Sequence, residues 1–334
     1  MGVDRSSIPS VVERARPVTA GAGVVAVHFL KDTAVFVLGE EAVVLAREGE
    51  TRRIATHGGA ILSSAGDGNR VVTGGDDGKV LTVDATGAVE VAVVDRKRRW
   101  IDHVATGPSG AIAWSAGKEA HARASRSAEK MLEVISTVGA LAFAPKGFRL
   151  AVAHYNGATL WFPNAKADPE MLEWKGSHLA ALFSPDGRFL VTSMQEPALH
   201  GWRLDDRKDM RMSGYSARVR SLDWTADGKW LATSGATQLV LWPFSGKDGP
   251  MGKQPKLLAP AEQPLDVVAC HPKQGVVALG FADGMILLVR TDDGAEILAR
   301  KPGGAPVTAL AWRADGKSLA FGTEAGEAGV VDLG

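Results

Sequence analysis

Neither charge is in excess in this sequence. Its 334 residues contain 38 Lys and Arg and 38 Asp and Glu, so the formal net charge is zero. Proteins that bind nucleic acid usually carry a basic surplus that attracts phosphates, and proteins that lie on anionic membranes carry basic clusters for the same reason. We therefore expect neither nucleic acid nor a membrane among the partners of this protein.

Cysteine is nearly absent, because Cys270 is the only one in the chain. A disulfide framework within the chain and a zinc site made of cysteines are therefore excluded. No uninterrupted apolar stretch reaches the roughly 18 residues of a transmembrane helix, and the first residues lack the apolar core of a signal peptide. We expect a soluble, cytoplasmic protein that is monomeric on its own.

The motifs of several large enzyme classes are also missing. The sequence contains no G-x-x-x-x-G-K-[ST] phosphate-binding loop, no H-E-x-x-H zinc motif and no G-x-S-x-G nucleophile elbow before a helix. We therefore predict that the protein is not an enzyme and has no catalytic residues and no cofactor.

What the sequence does contain is an internal repeat. Five segments share an apolar stretch that runs into a turn with Gly and Pro or Asp, followed by a second apolar alternation. They begin with residues 141–147, 181–187, 222–228, 268–275 and 310–316, and three weaker copies begin near residues 25, 60 and 101. Successive first turns lie about 40 residues apart, which is the period of a four-stranded propeller blade. The alternation with a period of two and the Asp-Gly turns predict β-hairpins and not helices.

Three of these segments, residues 72–84, 183–193 and 224–234, resemble the core of WD-repeat β-propellers. The resemblance covers nearly the whole chain and implies an all-β, single-domain propeller of residues 1–334 that binds proteins without catalysing a reaction. The Trp-Asp ending is degraded, for example to Trp161-Phe162 and Trp242-Pro243. The family's buried Asp-His network is expected only near His57 and His178. We interpret the chain as a divergent member, and its richness in Ala, Gly, Val and Arg favours a bacterial source.

We count eight repeat units and predict eight four-stranded blades. The last unit ends at Gly334 without a fourth strand, and an exposed sheet edge favours aggregation. We therefore expect residues 10–18, within an N-terminal segment of residues 1–20, to supply the closing outer strand. Seven blades is the alternative, if the first or third weak copy is a cap. Residues 245–255 are expected to be a polar loop insertion.

A metal or small-molecule site at the mouth of the propeller channel is the alternative function, either in a binding protein or in an enzyme. It would use polar residues of the predicted first strands, since His and carboxylates are metal ligands. These residues are His28, Asp102, His103, Asp223 and Asp266. The same positions can instead form hydrogen bonds between blades, and we predict no metal site.

The clearest candidate for partner binding is a basic run that ends in an aromatic residue. It consists of Arg96, Lys97, Arg98, Arg99 and Trp100, in the predicted connection between two blades. Guanidinium groups can bind carboxylates or phosphates with two hydrogen bonds, and Trp is a frequent anchor in interfaces. The alternative is a solvated loop in which Trp100 belongs to the core. Nucleic-acid binding through residues 96–99 is a third possibility, which the zero net charge disfavours.

Other residues of the same predicted face could join this site. They are Tyr155, Tyr215, Arg218, Arg220 and Phe281. Tyr155 and Tyr215 are the only two tyrosines, and both fall in predicted loops, which favours an interaction surface. We therefore predict a protein or peptide partner that presents an acidic or phosphorylated segment to the basic run.

Overall fold

The computed structural model describes Arg5, residues 7–125 and residues 127–334. Within these residues the chain forms thirty β-strands and two single-turn 3₁₀ helices, at Val12–Arg14 and Pro108–Gly110. No helix in these ranges is long and apolar enough to cross a membrane. All pairs of neighbouring strands within the sheets are antiparallel, as the short turns between apolar runs predict.

The chain divides into two compact units. The first contains the described residues up to Gly39 together with Val43–Ile54 and Tyr215–Gly334, and the second contains Glu40–Ala42 and Ala55–Gly214.

The first unit is built from sixteen strands, which lie in it wholly or for the most part. They are β1 (Ala15–Thr19), β2 (Val24–Leu30), β3 (Thr33–Leu38), β4 (Ala42–Arg47), β5 (Glu50–Ala55), β20 (Leu222–Trp224), β21 (Trp230–Thr233), β22 (Leu239–Pro243), β23 (Lys256–Leu258), β24 (Leu265–Cys270), β25 (Val276–Phe281), β26 (Ile286–Arg290), β27 (Glu296–Arg300), β28 (Val307–Trp312), β29 (Ser318–Thr323) and β30 (Glu327–Asp332). These strands form four sheets of four strands, in the orders β1-β30-β29-β28, β2-β3-β4-β5, β20-β21-β22-β23 and β24-β25-β26-β27.

The N-terminal strand completes the last of these sheets. Ala15 lies opposite Val331 and Thr19 lies opposite Glu327, so β1 is the edge strand beside β30. This is the region in which we expected the closing strand. Residues 245–255, where we expected a polar insertion, lie between β22 and β23 and contain turns but no strand.

The second unit contains the remaining fourteen strands. They are β6 (Ile61–Gly66), β7 (Arg70–Gly75), β8 (Lys79–Asp84), β9 (Val89–Val94), β10 (His103–Gly107), β11 (Ala111–Ala116), β12 (Glu119–Arg123), β13 (Lys130–Glu133), β14 (Ala140–Phe143), β15 (Leu150–Trp161), β16 (Glu170–Phe183), β17 (Phe189–Met194), β18 (Leu199–Arg203) and β19 (Lys208–Met212). They form the four-stranded sheets β6-β7-β8-β9 and β10-β11-β12-β13, and one six-stranded sheet with the order β14-β15-β16-β17-β18-β19.

The prediction of eight separate four-stranded blades is therefore wrong, because the described strands form seven sheets. The fourth and fifth repeats share one sheet, since β15 continues over twelve residues and β16 over fourteen where we expected breaks. Gly157 and Gly176 lie within these two long strands with φ angles of 140° and 125°, values that residues with a Cβ rarely adopt, and the register between β15 and β16 shifts between Tyr155 and Gly157. The alternative of seven blades assumed that the first or third repeat is a cap. Both of these repeats instead form complete four-stranded sheets.

Buried hydrogen bonds hold the strands together at the two expected histidines. The ring of His57 lies 2.9 Å from the Asp77 carboxylate and 2.8 Å from the Thr73 hydroxyl. His178 lies 2.7 Å from the hydroxyl of Thr192. Asp77, which stands in an Asp-Gly turn, thus also orients a buried histidine.

Candidate functional site

The basic run lies in the connection between β9 and β10, and Asp95 determines its shape. The Asp95 carboxylate accepts hydrogen bonds from the backbone N–H groups of Lys97 (3.0 Å) and Arg99 (2.9 Å), and its carbonyl accepts one from Arg98. An aspartate that binds the backbone two residues ahead is a common way to stabilise a short turn. Hydrogen bonds from Arg99 keep the pKa of Asp95 below its usual range, so the carboxylate stays ionised.

Arg99 stabilises this loop through two ion pairs. Its Nη2 lies 2.8 Å from Asp95 Oδ1 and 2.8 Å from Glu119 Oε2. Lys97 Nζ lies 3.6 Å from the other oxygen of Glu119. The hydrogen bond from Arg99 is the main reason that the pKa of Glu119 falls to about 2. Of the four cations in the basic run, Arg99 therefore forms ion pairs within the protein, and Lys97 forms one longer ion pair.

Arg96 and Arg98 are exposed, and within the described part of the chain their side chains form no ion pair or hydrogen bond. Trp100 is 63% exposed, the most of the nine tryptophans. The next residue, Ile101, is fully buried and donates its N–H to the carbonyl of Gly75. Because Ile101 fastens the chain to the core, the neighbouring Trp100 ring points to solvent and is not a core residue.

Hydrogen bonds connect this loop to three others in the second unit. Arg99 reaches Glu119, Val134 N–H donates to the carbonyl of Lys118 (3.0 Å), and Tyr155 N–H donates to Ser136 Oγ (2.9 Å). We refer to the resulting continuous surface, residues 95–100, 117–119, 134–137 and 155–156, as the loop strip.

The other end of the loop strip borders a groove. Ile135 and Tyr155 are both exposed and line a groove of about 800 Å³, which Trp174 also lines. The carboxylates of Glu133 and Glu173 stand at the same groove. The loop strip thus combines free cations at one end with apolar rings and aliphatic side chains along its length.

Sequence reasoning did not identify Ile135 or the groove. Ile135 lies in the connection between β13 and β14, in the sequence Val-Ile-Ser-Thr of residues 134–137, which carries none of the repeat's turn residues. Because Val134 beside it is buried and Ile135 is exposed, the sequence gives no signal that separates the two.

The remaining predicted partner residues lie in the first unit, and two of them are buried. Tyr215 accepts a hydrogen bond from Trp242 Nε1 (2.7 Å), and its own hydroxyl lies 2.8 Å from Thr233 Oγ1. Phe281 has no exposed surface. Neither ring is available to a partner, whereas Arg218 and Arg220 are exposed.

The candidates for a channel metal do not form a cluster. Among the described residues, no group of three or more His, Cys, Asp or Glu side chains is arranged to hold a metal ion. Asp223 instead accepts the N–H of Cys270 (2.7 Å), and burial raises its pKa to about 6. Asp102 accepts the N–H of Gly117 (3.0 Å). Asp223 thus links two sheets, whereas Asp102 links the start of β10 to the turn after β11 of the same sheet.

Comparisons with known proteins point to one family. Residues 268–334 match the family described as the anaphase-promoting complex subunit 4 WD40 domain, and residues 208–242 match the WD domain, G-beta repeat. No curated protein matches this chain. The solved structures that resemble it include the computationally designed Ika8 protein, with a TM-score of 0.74, 17% sequence identity and coverage of 94% of this chain and 98% of that one. This last likeness shows the fold. Two regions of the chain thus match WD-repeat families, and the repeated antiparallel sheets agree with a β-propeller of that kind.

Proposed function

We propose that this protein is a non-catalytic platform for protein–protein interaction and that the loop strip of the second unit is its binding surface. The observation that carries the proposal is the exposure of Trp100 beside Arg96 and Arg98, two cations without partners among the described residues. Buried Trp and Arg contacts dominate the energy of many interfaces. WD40 domains typically bind proteins and are generally non-catalytic, which supports the same conclusion. We place this activity in the cytoplasm.

The partner segment has a defined chemistry in this proposal. A carboxylate or phosphate at one end pairs with Arg96 and Arg98, which can each donate two hydrogen bonds to such a group. Apolar side chains that follow it contact Trp100 and enter the groove beside Ile135 and Tyr155. Residues Arg218 and Arg220 of the first unit are not needed for this contact.

Affinity capture from a lysate of the source organism tests the proposal. Wild type is compared with Trp100→Ala and with the double variant Arg96→Glu/Arg98→Glu, and mass spectrometry identifies the retained proteins. Loss of an interface tryptophan weakens binding by about 2 kcal/mol, or roughly thirtyfold, so both variants should lose the same partner. The matched control is Lys146→Glu/Lys166→Glu, which makes the same charge change at exposed positions outside the loop strip. Equal capture by all four proteins would contradict the proposal.

A further inference from the structure

The groove beside the loop strip carries two carboxylates without partners among the described residues. Glu133, at the end of β13, and Glu173, in β16, both line it and are both exposed. Neither side chain forms an ion pair or a hydrogen bond within the described ranges. Lys175 is the one cation among the lining residues that the structure describes, so the groove keeps an excess of negative charge. Since Arg96 and Arg98 are free cations at the far end of the loop strip, the surface has opposite charges at its two ends.

Glu133 also faces a like charge within its own sheet. It lies directly opposite Glu119 in the antiparallel pair of β12 and β13. Residues placed in this way share a face, with Cβ atoms about 5 Å apart, and like charges there are destabilising. Arg99 and Lys97 pair with Glu119, whereas no cation of the described chain pairs with Glu133. A cation supplied from outside would relieve a repulsion that the side chains of the protein leave in place.

The walls of the groove suit a cation that carries an apolar stem. Tyr155 and Trp174 line it together with the two carboxylates. Tyr155 is 47% exposed. His200 stacks on one face of the Trp174 indole, with 3.9 Å between the ring centroids, so a ligand can reach only the opposite face. Aromatic faces attract guanidinium and ammonium groups, and the methylene stems of Arg and Lys pack along apolar surfaces. Of the two cations, guanidinium is the less hydrated, and it both stacks on rings and pairs with carboxylates.

We propose that the groove binds an arginine side chain of the partner segment, whose guanidinium pairs with Glu133 and Glu173 while its stem contacts the rings of Tyr155 and Trp174. This inference rests on the proposed function and gives the partner segment a polarity. The anionic group of the segment meets the basic run, its apolar residues follow along the loop strip, and its arginine enters the groove. A segment that is acidic at both ends is repelled by the groove and is not a partner.

Random dodecapeptides displayed on phage and selected on the full chain test this polarity. The wild type should select peptides with an acidic residue on one side of an apolar stretch and an arginine on the other. A selected peptide, made synthetically, should bind Glu133→Gln/Glu173→Gln at least about tenfold more weakly, because the guanidinium loses both ionised partners. The matched control, Glu50→Gln/Glu262→Gln, makes the same charge change at exposed positions of the first unit and should bind like the wild type.

A charge exchange between peptide and protein tests the pairing itself. A peptide with glutamate in place of its arginine should lose binding to the wild type and regain it with Glu133→Lys/Glu173→Lys. Selected peptides without arginine, or equal binding to Glu133→Gln/Glu173→Gln, would overturn this inference and leave the proposed function standing. Peptides that bind Trp100→Ala and Arg96→Glu/Arg98→Glu as tightly as the wild type would contradict the proposed function, and selection of no peptide would contradict both.

Unfolding in urea without any peptide checks that Glu133 is free. Glu133→Gln should be at least as stable as the wild type, because the exchange removes the repulsion with Glu119 and breaks no ion pair. A less stable variant would show that Glu133 has a partner within the chain, and the inference would then be wrong. Circular dichroism establishes that every variant used for binding is folded.

Discussion

Two connections between sheets that follow one another along the chain carry an aromatic residue and nearby arginines, yet they use them in opposite ways. In residues 214–220, Tyr215 is buried and takes part in a chain of hydrogen bonds that runs from Trp242 through Tyr215 and Thr233 to the carbonyl of Val240. In residues 95–101, Trp100 stands in solvent. The aromatic residue of one connection, Tyr215, is thus part of the core, whereas that of the other, Trp100, is part of the surface.

The difference follows from where each polar group finds a partner. The Tyr215 hydroxyl can be buried because Thr233 and Trp242 satisfy it, and a buried hydroxyl without partners would be costly. In the other connection the polar atoms bind one another: Asp95 and Glu119 hold Arg99, and the turn they form keeps the chain at the surface. An aromatic residue in a loop therefore does not indicate a binding site until the partners of its neighbours are known.

The largest expected effect is at Tyr215. Tyr215→Ala should lower the free energy of unfolding by about 3 to 5 kcal/mol, because it removes a buried ring and leaves a cavity. Tyr215→Phe keeps the ring but leaves Trp242 Nε1 without its acceptor, and should lower it by about 1 to 3 kcal/mol. Urea unfolding followed by tryptophan fluorescence measures both. Wild-type stability in Tyr215→Ala would mean that this connection is as exposed as residues 95–101.

An intermediate effect is expected at Glu119, and it depends on pH. Because the pKa of Glu119 is about 2 in the folded protein and about 4.3 in unfolded chains, its contribution is complete above pH 4.5. It is lost as the pH falls from about 4.5 to 2, since the unfolded state takes up the proton first. With allowance for solvent screening, we expect about 1 to 2 kcal/mol.

Unfolding at pH 6 and at pH 3 measures this contribution for the wild type and for Glu119→Gln. The variant should be less stable at pH 6 and should lose less stability on acidification. Glu170→Gln, in an exposed pair with Arg207, is the matched control and should follow the wild type. Parallel pH curves for the wild type and Glu119→Gln would show that Arg99 does not hold the loop through this carboxylate.

Only part of the fold and of the candidate site could be predicted from the sequence. Alternating apolar residues and Asp-Gly turns are local signals, so the strands and the resemblance to WD repeats could be predicted from them. The number of sheets could not, because the turn signals near Gly157 and Gly176 do not show whether the strands on either side of them share one sheet. The exposure of Trp100 and the burial of Tyr215 could not be predicted either, since they depend on Ile101, Thr233 and Trp242, which lie outside the run or far along the chain.

The smallest expected effect on stability is at Trp100, and its size separates the two connections most directly. An exposed side chain contributes little to folding, so Trp100→Ala should change the free energy of unfolding by no more than about 0.5 kcal/mol. The same substitution should abolish capture of the partner, because the ring becomes buried only in the complex. Urea unfolding of Trp100→Ala beside Tyr215→Ala gives the contrast in one experiment. A loss of more than about 2 kcal/mol in Trp100→Ala would indicate a core role, and the two connections would then be alike.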